Sequence, residues 1–327
     1  MRRSFALLLF FALLAMTLPA LSEEGMRMAV DAIFDALWDP SAPGVIEATE
    51  FSVDGDWVFA VQRRREADGL RWHAIGYDMA SERFVTWDDL FADGDAAAER
   101  IAQIADSAMY HNAYAEHNRI TPVPRDNFAL ANGVLTVYYP AEQLAHFSGR
   151  AGAFGFYAYE LADLLREGAP LAVGDAKEAP AAMTAALAGG SLPGYEKWAI
   201  GGAMADAAEA LGLVDVPDLT YDFAVYRFED PCMRGVALLS DPGGDSAGNA
   251  TISGIYAERI DFSGLCAGVS ARAECVLALG APDAKCAIEE ADGYSLRPVG
   301  ETLRWERDGR ALELHFVEDV LHSVLLR

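Results

Sequence analysis

The chain has 327 residues and carries 50 Asp and Glu against 25 Lys and Arg, a net charge of −25 at pH 7. Such a surface repels phosphate backbones, which excludes DNA and RNA as partners; it either steers basic proteins inward or serves solubility alone. The length suits two domains, each large enough to bury a core of its own.

The first residues hold two arginines, an unbroken apolar run from Phe5 to Met16, and then Pro19 and small residues. This order predicts a secretory signal peptide over residues 1–22, cleaved near Ala20-Leu21-Ser22. The apolar run is shorter than the roughly 20 residues of a spanning helix, and no cysteine follows it to carry a lipid. No membrane span is expected after signal removal. The mature protein is expected to be secreted or held at the exterior of the cell envelope.

Met26–Trp38 reads as an amphipathic helix ended by Asp39-Pro40. Three strand-like runs follow, Val45–Val53, Asp56–Arg65 and Leu70–Asp78, joined by the turn dipeptides Asp54-Gly55 and Asp68-Gly69. A strand near Arg83–Trp87 leads through Asp88-Asp89, expected to cap a turn at Leu90-Phe91. Asp95 is expected to cap a helix running to about His117. The stretch Asn127–Leu165 then organises the domain. Asn132-Gly133 is a strong hairpin signal, and Val134–Tyr139 is apolar on both faces, as a covered central strand should be. Pro140 stops it, and Phe154–Tyr159 gives a last strand.

These elements resemble a known extracellular domain. The run Tyr77-Asp78, then RFVTWDDLF (Arg83–Phe91), a helix, NFALANGVLTVYYPAEQLAHFSG and a strand ending YELADLL is similar to the outer part of RsiV-type anti-sigma factors. The same domain precedes the catalytic part of PdaC-type peptidoglycan deacetylases. The resemblance covers about residues 45–166 and implies a binding domain, since in the anti-sigma factors this part binds lysozyme. Only four residues precede the apolar run, so no cytoplasmic sigma-binding part is expected, and no deacetylase domain is expected to follow. Tyr139 and Phe147, beside the breaks at Pro140 and Gly149, are the aromatic side chains expected to face a partner.

Residues 167–194 are rich in alanine, glycine and proline and read as a linker, with at most a short helix at Ala181–Leu187. Beyond it, IGGAMADAAEALG (Ile200–Gly212) is matched by AGVSARAECVLALG (Ala267–Gly280), each followed by Pro-Asp and a set of strands. Two repeats are therefore expected, 195–262 and 263–327. They resemble the tandem units of β-lactamase inhibitory protein, and singly the SmpA-type assembly lipoproteins. The expected fold class is α+β. The first domain, 23–166, would be an antiparallel sheet with packed helices, and the second two helix-plus-antiparallel-sheet repeats.

All four cysteines fall in the second half. In an exported chain they predict two disulfides. Cys275 on a helix and Cys286 opening a strand would make one staple, leaving Cys232 for Cys266.

The chemistry sought is sparse. Gly244-Asp245-Ser246-Ala247-Gly248 spells a nucleophile elbow, yet a β-rich run follows it where a helix is required, so Ser246 reads as a loop residue. His73, His111, His117, His146, His315 and His322 form no metal-binding spacing, although His315 and His322 fall on neighbouring strands. No cofactor or metal is called for. The expectation is a non-catalytic, exported binding protein with a basic, lysozyme-like protein partner. The alternatives are an accessory or cryptic enzyme of peptidoglycan metabolism, or a purely structural cell-surface protein.

Overall fold

A computed structural model describes residues 45–54, 56–66, 69–109, 120–131, 133–140, 143, 152–171, 174–211, 218, 223–228, 233, 235–241, 247–289 and 296–327. The leader, the Met26–Trp38 run, Phe147, Cys232, Ser246, His111, His117 and His146 lie outside the described residues. The chain divides into two compact units between Ala172 and Val173.

Antiparallel sheet dominates both units, which corrects the expected α+β class: the protein is mostly β, with few helices. The reason is local. Runs with period-2 burial recur between tight turns, whereas only one α-helix among the described residues exceeds 11 residues.

In the first unit, Val45–Asp54 (β1), Trp57–Glu66 (β2), Gly69–Asp78 (β3) and Arg83–Phe84 (β4) form a meander in sequence order. Phe128–Ala131 (β5), Val134–Tyr139 (β6) and Gly152–Tyr157 (β7) form a second, with β6 central. Along β2, Phe59 and Val61 enter the main core while Ala60 turns the other way, against Phe51 and Ile75. The core is closed by Trp87–Leu90 (α1), Gly94–Met109 (α2) and Ala158–Leu161 (α3). Asp93 caps α2, accepting the amides of Asp95 and Ala96 at 3.0 Å each, two residues before the expected cap. The Asn127 side chain joins the two sheets, reaching β3 and the Tyr138 carbonyl of β6.

The short helix expected near Ala181–Leu187 is present and longer. Residues 167–194 are not all linker: after a 3₁₀ turn, Ala179–Gly189 forms a helix (α4) that buries Ala179, Met183, Ala186 and Leu187 in the core. Pro180 sits in its first turn, where a missing N–H costs nothing, and Gly190 ends it at φ +75°. Its side chains are nearly all small and apolar, so no periodicity marked it in the sequence. Met204–Leu211 (α5) and Arg272–Leu279 (α6) follow, with the small ladder Asp261–Phe262 (β11) and Leu265–Cys266 (β12) between them.

The two expected repeats do not hold separate sheets. Ala224–Arg227 (β8), Val236–Ser240 (β9) and Gly254–Ala257 (β10) join Ala284–Ile288 (β13), Gly300–Arg307 (β14), Arg310–Val317 (β15) and Val320–Leu326 (β16) in one seven-stranded antiparallel sheet. Its order is β13-β14-β15-β16-β10-β9-β8. One face is mostly apolar, with Leu238, Ile255, Leu303, Trp305, Leu312, Leu314 and Phe316 in the same core as α4 and Cys275. The other face is divided. Val225, Leu239, Tyr256 and Leu325 make a small apolar cluster, while Thr302, Glu313, His315 and Ser323 are polar and buried.

That division corrects the Cys275–Cys286 staple. Cys286 lies opposite Thr302 in the ladder and so points to the polar face, whereas Cys275 is buried under the apolar one. Cys286 is exposed, and Cys266, Cys275 and Cys286 are not linked to one another in this structure.

Candidate functional site

Tyr139 is not a surface anchor. It is 2% exposed, set edge-on to Phe154 with ring centroids 5.3 Å apart, and belongs to the core. Val137, two residues back along β6, is buried in the same core, and the alternation carries Tyr139 inward with it. Burial pushes its phenol far above the ordinary value, and among the described residues its hydroxyl has no partner.

The surface feature of the first unit lies instead around the RFVTWDDLF run. A groove of about 310 Å³ opens between β3, β4 and the entry to β5, with Ala74, Gly76, Val85, Trp87 and Phe128 as walls and Phe84 as its lip. Phe84 is 38% exposed and stands edge-on to Tyr77 at 5.8 Å. Trp87 is held by three contacts. Its indole N–H donates to the Gly94 carbonyl at 3.0 Å, and its ring meets Phe91 at 4.7 Å and Phe128 at 5.5 Å. Gly76 has to be a glycine here, because a Cβ would run into the Phe59 ring and Val85.

Charge pairs stand beside the groove. Arg83 meets Asp89 through two bonds of 2.7 and 2.6 Å. Asp89 also accepts from the amide and hydroxyl of Thr86 at 2.7 and 2.8 Å, closing a capping box from the third position of α1; the N-cap itself is Thr86, so Asp88 and Asp89 lie within the helix and not before it as expected. The Arg83 guanidinium first, and then the Thr86 donors, hold the Asp89 carboxyl well below the usual range. Arg125 pairs with Asp95 at 2.7 Å. The lining is mostly apolar, with Thr86, Arg125 and Asp126 as its polar members, so the groove can take an apolar or aromatic side chain from a partner. It presents no acid–base pair, and no group of three or more metal-ligating side chains occurs among the described residues.

The second unit holds a constellation that the sequence did not announce. Ser323 Oγ lies 3.0 Å from His315 Nδ1, and His315 Nε2 lies 3.5 Å from Glu313 Oε2. Arg297 grips Glu313 with two bonds of 3.0 and 2.8 Å, Arg327 adds one of 2.8 Å, and Arg304 lies at 3.5 Å. Burial opposes ionisation of Glu313, but His315, Arg327 and Arg297 outweigh it and bring its pKa down to about 2. Burial lowers the His315 pKa, so the ring is neutral at pH 7. A neutral ring beside an ionised Glu313 carries its proton on Nε2 and accepts the Ser323 hydroxyl at Nδ1. The order serine, histidine, carboxylate is that of a hydrolytic triad, but all three side chains are fully buried and project from the middle of paired strands. A substrate cannot reach Ser323, so the set is a structural network. His322 does not join it, since the irregularity in the β15–β16 register between His315 and Phe316 leaves His322 exposed.

No family model matches this chain, and no curated protein matches it. Among solved structures, a DUF3298 family protein from Pseudomonas aeruginosa aligns at 15% identity with a TM-score of 0.29. The alignment covers 39% of this chain and 64% of that one, so this chain spans less than two thirds of that protein's length. The likeness is weak and does not reach the particulars of either resemblance drawn from the sequence. No helix among the described residues is long and apolar enough to cross a membrane.

Proposed function

We propose that the protein is an exported, non-catalytic binding protein whose first unit receives an apolar or aromatic side chain of a basic protein partner. The specific candidate partner is a lysozyme-like cell-wall enzyme. The observation that carries the reading is the groove at Phe84 and Trp87, a mostly apolar recess with the Arg83–Asp89 and Arg125–Asp95 pairs beside it. The similarity of residues 45–166 to the outer domain of RsiV-type anti-sigma factors points to the class of partner. The net charge of −25 favours encounter with a basic protein. Charge alone gives weak, salt-sensitive association, because exposed pairs contribute about 0–1 kcal/mol each. Affinity therefore has to come from the groove.

The test is calorimetric titration of the full mature chain with a basic lysozyme in about 0.15 M salt, where charges are screened beyond about 8 Å. Binding should be seen, and Phe84→Asp should weaken it at least about tenfold, the loss of a modest anchor. Absence of heat overturns the lysozyme partner. Binding that Phe84→Asp leaves unchanged overturns the groove as its seat.

A further inference from the structure

Cys266 and Cys275 bracket a single tight reversal of the chain. Cys266 ends β12, and its carbonyl accepts the amides of Val269 and Ser270 at 3.2 and 2.9 Å. Its own amide donates back to Ser270 Oγ at 3.0 Å. Ala271 is the N-cap of α6, and its carbonyl receives the Cys275 amide at 3.1 Å. Cys266 is thus clamped to Ser270, the residue before the cap, and Cys275 lies four residues beyond the cap, a rise of about 6 Å.

The reversal is itself fixed against β16. Gly268 N–H donates to the Leu321 carbonyl at 2.7 Å, Leu321 N–H to Ser270 at 2.8 Å, and Arg272 N–H to Asp319 at 2.8 Å. Both cysteine side chains are fully buried. The third described cysteine, Cys286, is separated from Cys275 by the sheet.

We propose that Cys266 and Cys275 join as a disulfide when the chain folds under oxidising conditions, locking the β11–β12 ladder to the first turn of α6. This replaces both pairings expected from the sequence and stands independently of any binding function. With a glutathione disulfide as oxidant, one cysteine thiolate attacks it, forms a mixed disulfide and releases one glutathione thiolate. The second cysteine thiolate displaces the other glutathione. One protein S–S bond forms, one glutathione S–S bond breaks, and the two thiol protons end on two reduced glutathiones.

The folded thiols would be slow to start this exchange. Burial first, then the Asp261 carboxylate, pushes Cys266 well above the ordinary thiol value, with Cys275 itself adding to the shift. Burial and then Glu274 push Cys275 up to about 12. The bond is therefore made while the chain is still closing, before the thiols lose access to water.

The experiment refolds the reduced, denatured full chain in a mixture of reduced and oxidised glutathione, then alkylates the remaining thiols and maps the peptides by mass spectrometry without reduction. The expected result is one linked peptide pair carrying Cys266 and Cys275, with Cys286 alkylated. A Cys286→Ser chain should give the same link, and a Cys275→Ser chain should leave Cys266 alkylated. Dominant Cys275–Cys286 or Cys232–Cys266 links, or Cys266 and Cys275 both alkylated in the refolded parent, would overturn the proposal.

Discussion

The side-chain oxygen of Asn127 accepts the main-chain N–H of Ala74 at 2.8 Å, while its amide nitrogen donates to the carbonyl of Trp72, two residues back, at 3.0 Å. Residues two apart on a strand present their backbone groups to the same edge. A single carboxamide therefore fills the place of a neighbouring strand along β3. The same nitrogen reaches the Tyr138 carbonyl at 3.1 Å, and the Asn127 carbonyl accepts the Tyr138 amide at 2.9 Å. Trp72 and Tyr138 pack over this seam with ring centroids 5.4 Å apart.

Asn127→Ala leaves an amide and two carbonyls without that partner and should destabilise the protein by about 1–3 kcal/mol. Asn127→Asp should not rescue it at neutral pH, because a carboxylate turns two donor contacts into repulsion between oxygens. Urea unfolding followed by tryptophan fluorescence measures both. A loss below about 0.5 kcal/mol for Asn127→Ala would show that the seam does not depend on this side chain.

Acid should weaken the second unit in two stages. His315 has a folded pKa below its ordinary 6.5, so on acidification the unfolded chain takes a proton that the native ring refuses. Its contribution is present above pH 6.5 and declines as pH falls below that value. Glu313 has its folded pKa at about 2 against an ordinary 4.5, so its contribution is present above pH 4.5 and is lost as pH falls toward 2. His315→Gln should flatten the upper stage and leave the lower. Melting temperature measured from pH 8 to pH 3 decides it, and parallel curves for parent and variant between pH 7 and pH 5 would refute the assignment.

The half-buried Arg297 and the fully buried Glu313 form the best-aligned pair in the network. A double-mutant cycle with Arg297→Met and Glu313→Gln should return a coupling of about 1–3 kcal/mol. The costs of the two single changes should sum to more than the cost of the double change, since each single change leaves one charge short of its partner. A coupling within about 0.3 kcal/mol of zero would mean that Arg327 and Arg304 suffice for Glu313.

Arg310 closes the C-terminal end of α4, donating from one guanidinium nitrogen to the carbonyls of Leu187 at 2.8 Å and Ala188 at 2.5 Å. These are carbonyls that no helix can satisfy within itself, at the negative end of its dipole. Arg310→Met should cost about 1 kcal/mol. Differential scanning calorimetry provides the readout, with Arg307→Met, on the exposed end of β14, as the control expected to cost less.

Strands were readable from the sequence where turn residues punctuated alternating runs, as in β1 to β3 and β5 to β6. A capped turn was readable at Asp88-Asp89, but the helix starts at Trp87, so the N-cap is Thr86 and Asp89 serves from the third helical position. The α4 helix was readable as a short helix at 181–187 after Pro180, but its place in the core was not, since a run of alanines is apolar on every side and shows no stripe. Tyr139 was misplaced because a proline after a strand marks where pairing stops, not which way the last side chain points. The Glu313 network was illegible for a different reason. Leu312-Glu313-Leu314-His315-Phe316 reads as a strand with one wet face, and only the return of Arg297 and Arg327, 16 and 14 residues away, makes that face dry. The groove residues were quoted for the family they resemble, yet nothing in their spacing disclosed that Phe84 would stand as the lip.

The seven-stranded sheet has its last strand in sequence, β16, at its centre, hydrogen-bonded to β15 on one side and to β10 on the other. Strands β8 to β10 and β13 to β15 are therefore two half-sheets with no direct ladder between them until residues 320–326 arrive. During synthesis from the N-terminus, both halves wait with an open edge for the last of the seven strands. Closure of the second unit is a late, long-range event, slower than the hairpins that precede it. In that interval the raw edges of β10 and β15 are the places where two copies of the chain would pair with each other, and where a holdase chaperone would have most to protect.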